Sequence, residues 1–136
     1  MEALITVLPG DGIGPEVCAA GMHVLQQVAE KYGHRFSYSE QLIGGAAIDA
    51  ENDPFPASTA SSCTESDAVI LGAVGGPKWS DPNARIRPEQ GLLALRATME
   101  VFANLRPVQI IDELASASPI FLIRMSASSL PFTKWH

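Results

Sequence analysis

The sequence is poor in the side chains that build metal, redox and triad sites. Its two cysteines, Cys18 and Cys63, are far apart and no CxxC pair occurs, which argues against a zinc or thiol–disulfide site. The three histidines, His23, His34 and His136, are too scattered to form a metal cluster or a catalytic triad. We therefore expect both cysteines to be buried free thiols in a reducing compartment.

Positive charge and long apolar runs are also scarce. Nine Lys and Arg residues against 15 Asp and Glu residues give a net charge of −6, and no basic stripe is present, so a nucleic-acid partner is disfavoured. No apolar run approaches the roughly 18 residues that span a bilayer. The N-terminus MEALITVLPGDG lacks the basic region of a signal peptide. We expect no membrane partner and a cytoplasmic location.

The hydrophobic pattern, in contrast, is rich and alternates between two periods. Short β-branched runs are typical of buried strands, and apolar residues three or four apart are typical of helices. Strand-like segments lie at 3–8, 35–43 and 68–74, helix-like segments lie at 15–32, 57–66 and 88–99, and 44–56 is predicted as a long loop. This alternation predicts an α/β fold with a largely parallel sheet and flanking helices.

The turn Gly10-Asp11-Gly12-Ile13-Gly14-Pro15 lies between the first strand and the first helix. It resembles the dinucleotide fingerprint GxGxxG, but Pro15 occupies the place of the third glycine. No Gly-Lys-Ser/Thr follows, so the phosphate-binding loop pattern fails as well. A tight glycine turn that lets the backbone approach a ligand and a purely structural turn both remain open.

A second candidate segment runs from Gly75 to Glu89. Gly75-Gly76-Pro77 breaks the strand at its carboxyl end, where ligands bind in open α/β sheets. Lys78, Arg85 and Arg87 could meet phosphate, and Trp79 offers a stacking face. The alternative is a solvated loop with ordinary surface charges.

Two arginines, Arg96 and Arg106, form the third candidate. Guanidinium groups bind carboxylates through two parallel hydrogen bonds, so the pair could hold a dicarboxylate in a fixed orientation. Arg96 lies on the predicted helix 88–99, and Arg106 lies in an extended segment, 102–111, that Pro107 interrupts. The alternative is that both side chains are simply exposed.

Five motifs in order resemble the 3-isopropylmalate dehydrogenases of the β-decarboxylating dehydrogenase family. They are LPGDGIGPEV at 8–17, GGAAID at 44–49, LGAVGGPKW at 71–79, RPEQGLLALR at 87–96 and FANLRPV at 102–108. The resemblance covers about residues 3–119. It implies an incomplete isopropylmalate/isocitrate dehydrogenase-like fold that is not of the Rossmann type. It also implies a cytoplasmic homodimer, NAD as cofactor with Mg²⁺ or Mn²⁺, and oxidative decarboxylation of (2R,3S)-3-isopropylmalate to 4-methyl-2-oxopentanoate in leucine biosynthesis.

The resemblance also assigns roles to residues. It implies that Arg96 and Arg106 bind substrate carboxylates, that Leu92 and Leu93 accept the isopropyl group, and that Glu89 lies near the nicotinamide ribose and the substrate tail. The residues implied to line the NAD site are Gly76, Pro77, Lys78, Trp79, Ser80, Asp81, Pro82, Asn83, Ala84, Arg85, Ile86, Arg87, Pro88 and Glu89.

The resemblance ends after Ser118-Pro119. We expect residues 1–101 to form part of a first α/β domain, 102–119 to begin a second domain, and 120–136 to be a divergent tail, for which a truncation or frameshift is the simplest explanation. In the family, the catalytic tyrosine and lysine and the metal-binding aspartates come later, so no catalytic or metal-ligating residue is expected in this chain, and it should be inactive alone. The alternatives are a non-catalytic fragment that binds nucleotide or dimerises, or a piece of a related isocitrate or tartrate dehydrogenase.

Overall fold

The computed structural model describes residues 1–81 and 83–106. Their strands are β1 (Glu2–Gly10), β2 (Arg35–Glu40) and β3 (Ala68–Ala73), and their helices are α1 (Gly14–Tyr32), α2 (Gly45–Glu51), α3 (Ala57–Glu65) and α4 (Pro88–Thr98), with a 3₁₀ helix at Pro77–Trp79. The chain divides into two compact units, Met1–Phe102 and Ala103–His136, and all of these elements belong to the first.

The three strands form one parallel sheet in the order β2-β1-β3. The central strand β1 is covered on both faces, which explains its nearly continuous apolar sequence. Ile5 and Val7 pack with Cys18 of α1 on one face. Leu8 packs on the other face with residues of α3 and α4. The expected α/β architecture is therefore confirmed, with β1 at its centre.

Thr6 is the polar exception within β1, and it is fully buried. Its hydroxyl donates a 2.9 Å hydrogen bond to the carbonyl oxygen of Ser62 in α3. A buried hydroxyl without a partner would cost free energy, so this bond makes threonine acceptable in the core. It also ties the helical layer of α3 to the middle of the sheet.

Helix α1 begins and ends where the sequence indicates. Pro15 occupies the first turn, where a missing N–H costs nothing, and Gly33 ends the helix in the left-handed conformation with φ 66°. Its buried residues are Gly14, Cys18 and Ala29. Val24 lies on the other side and is 60% exposed, so the buried side is not the valine side of the helix.

Two sequence-based predictions of local structure are wrong. Residues 44–56 were expected to be a loop, but Gly45–Glu51 forms α2. The second strand was expected to reach Ile43, but β2 ends at Glu40. Gln41 still donates its N–H to the Val7 carbonyl oxygen, so the chain follows β1 for one more residue before it turns towards α2.

Both cysteines are free and buried, as expected. Cys18 packs in the layer between α1 and the sheet, and Cys63 packs in the layer between α3 and the sheet. Burial raises the pKa of both thiols, and for Cys18 the negative charge of Glu40 adds to the increase. Neutral thiols fit these apolar positions.

Candidate functional site

The candidate site is built where β1 and β3 end side by side. Gly10 at the end of β1 pairs with Ala73 at the end of β3, and the Asp11 N–H donates a 2.7 Å hydrogen bond to the Ala73 carbonyl oxygen. The turn to α1 follows one strand, and the turn Gly75-Gly76 follows the other. Both candidate turns of the sequence therefore lie at the carboxyl edge of the sheet, where open α/β sheets bind ligands.

Asp11 connects three segments at this edge. The residue is 3% exposed, and its carboxylate accepts three backbone hydrogen bonds of 2.8 Å. The Oδ2 atom receives the N–H groups of Gly45 and Gly75, and Oδ1 receives that of Ala46. The carboxylate therefore satisfies the first two N–H groups of α2 and also holds the turn after β3.

Lys78 and Trp79, near the start of the segment predicted to line the NAD site, are held by α2. Lys78 Nζ lies 2.5 Å from Asp49 Oδ2, and Trp79 Nε1 donates a 3.3 Å hydrogen bond to Asp49 Oδ1. The Trp79 ring lies against Gly45, where a Cβ atom would overlap it. The Lys78 ammonium thus has a carboxylate partner within the protein, and the indole packs on protein backbone.

The contact of Lys78 and Trp79 with the Asp49 carboxyl group can be tested by a pH titration. Hydrogen bonding from Lys78 lowers the pKa of Asp49 below its ordinary value of 3.8, and Trp79 adds a smaller effect in the same direction. A carboxyl group with a lowered pKa contributes its stabilisation above the ordinary value and loses it as the pH falls through the folded value. We expect the Trp79 indole N–H resonance to shift in an NMR titration with its midpoint below pH 3.8.

The matched variant for that titration is Asp49→Asn. It removes the titrating group but keeps a side chain of the same size, so the indole resonance should lack the transition below pH 3.8. A midpoint at or above pH 3.8 in the original chain, or an unchanged transition in Asp49→Asn, would show that Lys78 and Trp79 are not held by this carboxylate.

Helix α4 presents four of the predicted substrate residues along one side. Its buried residues are Pro88, Gly91 and Leu95, which face the rest of the first unit. The four predicted residues follow helical spacing on the outer side: Glu89 and Arg96 are exposed, Leu92 is half-buried and Leu93 is 64% exposed. A leucine pair therefore lies within one turn of a carboxylate and of a guanidinium group.

The Glu89 side chain connects α4 to the turn that follows β3. A Cβ atom at Gly75 would come within 2.9 Å of Glu89 Oε1, so the carboxylate lies against the Gly75 backbone. The same Gly75 donates its N–H to Asp11. The first and last parts of the predicted cofactor segment are thus both held at the edge where β1 and β3 end.

Between these two anchors the predicted cofactor segment is mostly open to solvent. Ser80 Oγ donates to the Gly76 carbonyl oxygen and Asn83 N–H donates to Asp81 Oδ1, which shapes the turn. Pro82 lies outside the described residues, Ala84 is half-buried, and the exposed members are Pro77, Lys78, Ser80, Asp81, Asn83, Arg85, Ile86 and Arg87. Two exposed arginines near a polar turn fit a ligand that carries phosphate.

Arg106 belongs to the second unit and is exposed in a segment that has neither helix nor strand as far as residue 106. The rest of the predicted extended segment, 107–111, lies outside the described residues, as does the tail 120–136. The pairing of Arg96 with Arg106 as a carboxylate clamp stays a prediction.

The family model of isocitrate/isopropylmalate dehydrogenases matches residues 4–125 of this chain. The chain belongs to that family. Among curated relatives, the 3-isopropylmalate dehydrogenase of Rhodopirellula baltica is 53% identical over 120 residues, which cover 88% of this chain and 33% of the relative. The corresponding protein of Bacillus subtilis is 50% identical over the same length. The chain thus spans about a third of the curated relatives that it matches.

Solved structures share this architecture. A β-decarboxylating dehydrogenase from Thermococcus kodakarensis matches with a TM-score of 0.53 and 32% identity, covering 71% of this chain and 26% of that one. A protein from Thermus thermophilus matches with a TM-score of 0.52 and 29% identity, covering 68% of this chain and 17% of that one. The resemblance stated from the five motifs is therefore confirmed at the level of family and fold.

Residues 1–81 and 83–106 contain no group of three His, Cys, Asp or Glu side chains that could hold a metal ion. These residues therefore do not fit a divalent metal ion, which the family implies in general. No helix in the same part of the chain is long and apolar enough to cross a membrane.

Sequence reasoning missed the two carboxylates that organise the site. Asp11 was considered only as part of a glycine turn, although an acidic residue directly after a buried strand is a signal in itself. Asp49 lies in an acidic stretch, and nothing local indicates its partner Lys78, which is 29 residues away.

Proposed function

We propose that this chain supplies the substrate- and cofactor-contacting segment of an NAD-dependent 3-isopropylmalate dehydrogenase. The observation that carries the proposal is the outer side of α4, where Leu92 and Leu93 lie within one turn of Glu89 and Arg96. The curated relatives named above bear the name of this enzyme. The proposal therefore combines a specific surface with a family that acts on a branched dicarboxylate.

The chemistry of that surface matches the substrate. The Arg96 guanidinium is exposed and makes no hydrogen bond or ion pair with the described side chains, so it is available to a carboxylate. The exposed Leu93 offers an apolar surface to an isopropyl group, and a methylene-scale contact of this kind discriminates by about 1–3 kcal/mol. A substrate with a third carboxylate, such as isocitrate, would place a charge on the leucines and lose solvation.

Bound NAD would supply the hydride acceptor for the 2-hydroxyl carbon of the substrate, after which the β-keto acid loses CO2. The residues assigned here bind and orient: Arg96, together with Arg106, would hold the carboxylates, Leu92 and Leu93 the isopropyl group, and Glu89 the region where substrate and nicotinamide ribose meet. Residues 76–89 would line the NAD site. No acid–base or metal-ligand role is assigned to any residue of this chain.

The remaining family properties belong to the same proposal. They are a role in leucine biosynthesis at a cytoplasmic location, a homodimeric assembly, and a requirement for Mg²⁺ or Mn²⁺ in the complete enzyme. Membership of the family supports each of them, and the biosynthetic role also follows from the substrate in the relatives' name.

The proposal is tested by titrating the 136-residue chain with 3-isopropylmalate and following its amide resonances. We expect shifts at Leu93 and Arg96, and we expect Arg96→Gln to weaken binding about 10- to 100-fold, because a charge-assisted hydrogen bond contributes about 1.5–3 kcal/mol. The control is Arg35→Gln. Arg35 is also exposed, but it pairs with Glu2 at 3.2 Å at the opposite edge of the sheet, so its loss should leave the affinity unchanged.

Equal losses in Arg96→Gln and Arg35→Gln would mean that the ligand responds to net charge and not to the α4 surface, which contradicts the proposal. Tighter binding of isocitrate or tartrate than of 3-isopropylmalate would favour a related dehydrogenase. Binding of NAD without any binding of 3-isopropylmalate would favour a nucleotide-binding fragment.

A further inference from the structure

Asp11 is the one buried carboxylate among the described residues, and the roles assigned so far do not use it. Its two oxygens accept N–H groups from Gly45, Ala46 and Gly75, which are 34, 35 and 64 residues away along the chain. No other side chain in residues 1–81 and 83–106 makes three such bonds to distant backbone.

The placement of this carboxylate has two physical consequences. Gly45 and Ala46 open α2, so their N–H groups have no partners inside the helix, and a negative charge at a helix N-terminus is favourable. Replacing Asp11 by a side chain that does not accept would leave three buried or half-buried N–H groups without partners. The position therefore requires a short carboxylate.

The same three bonds lead directly to the predicted cofactor segment. Gly45, held by Oδ2, is the surface on which the Trp79 ring packs. Gly75, held by the same oxygen, is the backbone against which Glu89 lies. The predicted cofactor segment thus begins directly after Gly75, whose N–H binds Asp11. Its Trp79 ring packs on Gly45, whose N–H also binds Asp11.

We propose that Asp11 is a positioning residue that holds residues 76–81 and 83–89 in the conformation that accepts the cofactor. Asp11 acts through its hydrogen bonds to the N–H groups of Gly45 and Gly75, and it does not contact the cofactor. This inference rests on the proposed function, since it assumes that residues 76–89 form the NAD site.

The test compares the 136-residue chain with its Asp11→Asn variant by amide hydrogen exchange and NAD titration. Asparagine keeps one acceptor oxygen, but its NH2 group faces an N–H donor. We expect exchange at Gly45, Ala46 and Gly75 to accelerate at least about tenfold while exchange at Val7 in β1 is little changed, and NAD affinity to fall at least about tenfold, more than the affinity for 3-isopropylmalate. The matched control is Asp67→Asn, because Asp67 accepts the Leu4 N–H at 2.8 Å at the opposite edge of the sheet.

A purely structural role would accelerate exchange in β1 as much as in the turns and would weaken both ligands equally, and that result overturns the inference. Unchanged exchange at Gly75 overturns it as well. Failure of the original chain to bind NAD counts against the proposed cofactor site, while exchange at Trp79, whose N–H donates to the Gly76 carbonyl oxygen, still decides whether Asp11 holds the start of the segment.

A second variant keeps the inference testable if Asp11→Asn does not fold. Gly45→Ala retains Asp11 and its donors, but the new methyl group would displace the half-exposed Trp79 ring. We expect NAD affinity to fall at least about tenfold with α2 intact. Unchanged NAD affinity in this variant would show that the link from Asp11 through Gly45 does not position the segment.

Discussion

Replacing Gly10 with alanine is expected to destabilise the first unit by about 2–5 kcal/mol. Gly10 has a φ of 70°, a left-handed conformation that costs a residue with a Cβ atom about 1–2 kcal/mol. Its Cβ atom would also overlap the carbonyl oxygen of Ala73, the paired residue on β3. Backbone cannot move aside as a flexible side chain can, so the strand pair itself would have to separate.

Gly12 and Gly21 are the matched controls. Gly12 also has a positive φ, 57°, but a Cβ atom there meets nothing within 4 Å, so Gly12→Ala should cost only about 1–2 kcal/mol. Gly21 lies on the exposed side of α1 in open space, and Gly21→Ala should stabilise by about 0.5–1 kcal/mol. Urea unfolding followed by circular dichroism gives all three values. Similar losses for Gly10→Ala and Gly12→Ala would show that contact with Ala73 does not limit this turn.

Truncating Leu8 to alanine is expected to cost about 2–5 kcal/mol of unfolding free energy. Leu8 is fully buried in the cluster with Ile43, Phe55, Cys63 and Leu95. The cost combines the lost burial of the removed methyl groups with a cavity that the backbone of a central strand cannot close. Leu8 joins the sheet to the layer that carries α4, so the loss should be visible as a lower urea midpoint with an unchanged slope.

Leu93 provides the comparison within the same residue type. It is 64% exposed on the outer side of α4, and Leu93→Ala should change stability by no more than about 0.5 kcal/mol. If Leu93 contacts the substrate, the same variant should weaken binding of 3-isopropylmalate. A large loss of stability in Leu93→Ala would mean that this side of α4 is part of a core and not a ligand surface.

Local sequence patterns located the long elements because those elements satisfy local rules. Strand β1 is buried on both faces and is therefore apolar throughout, and α1 begins at Pro15 and ends at Gly33. Helix α2 was not predicted because the carboxylate that binds its first N–H groups lies far away in the sequence. Its first two N–H groups are satisfied by Asp11, 34 and 35 residues earlier, and no residue near Gly45 indicates that cap.

The candidate site was predictable in part for the same reason. Glu89, Leu92, Leu93 and Arg96 share one helix, so helical spacing alone places them together. The partner of Lys78 could not be predicted in this way. A lysine in a polar loop suggests a phosphate ligand, and no local pattern indicates that the fold also brings the Asp49 carboxylate to Lys78.

Local sequence patterns are enough to predict the order of the strands and of helices α1, α3 and α4, the turns at glycine and proline, and the family. Which face of a helix packs on the sheet depends on tertiary contacts. Helix α1 has small and apolar residues on two sides, and periodicity cannot choose between them. The side that lies on the sheet carries Gly14, Cys18 and the larger Met22, and Gly14 lies directly against Pro9 and Ala73, while Val17 and Val24 remain exposed. Such choices depend on distances between segments that are far apart in the chain, and local sequence carries no information about those distances.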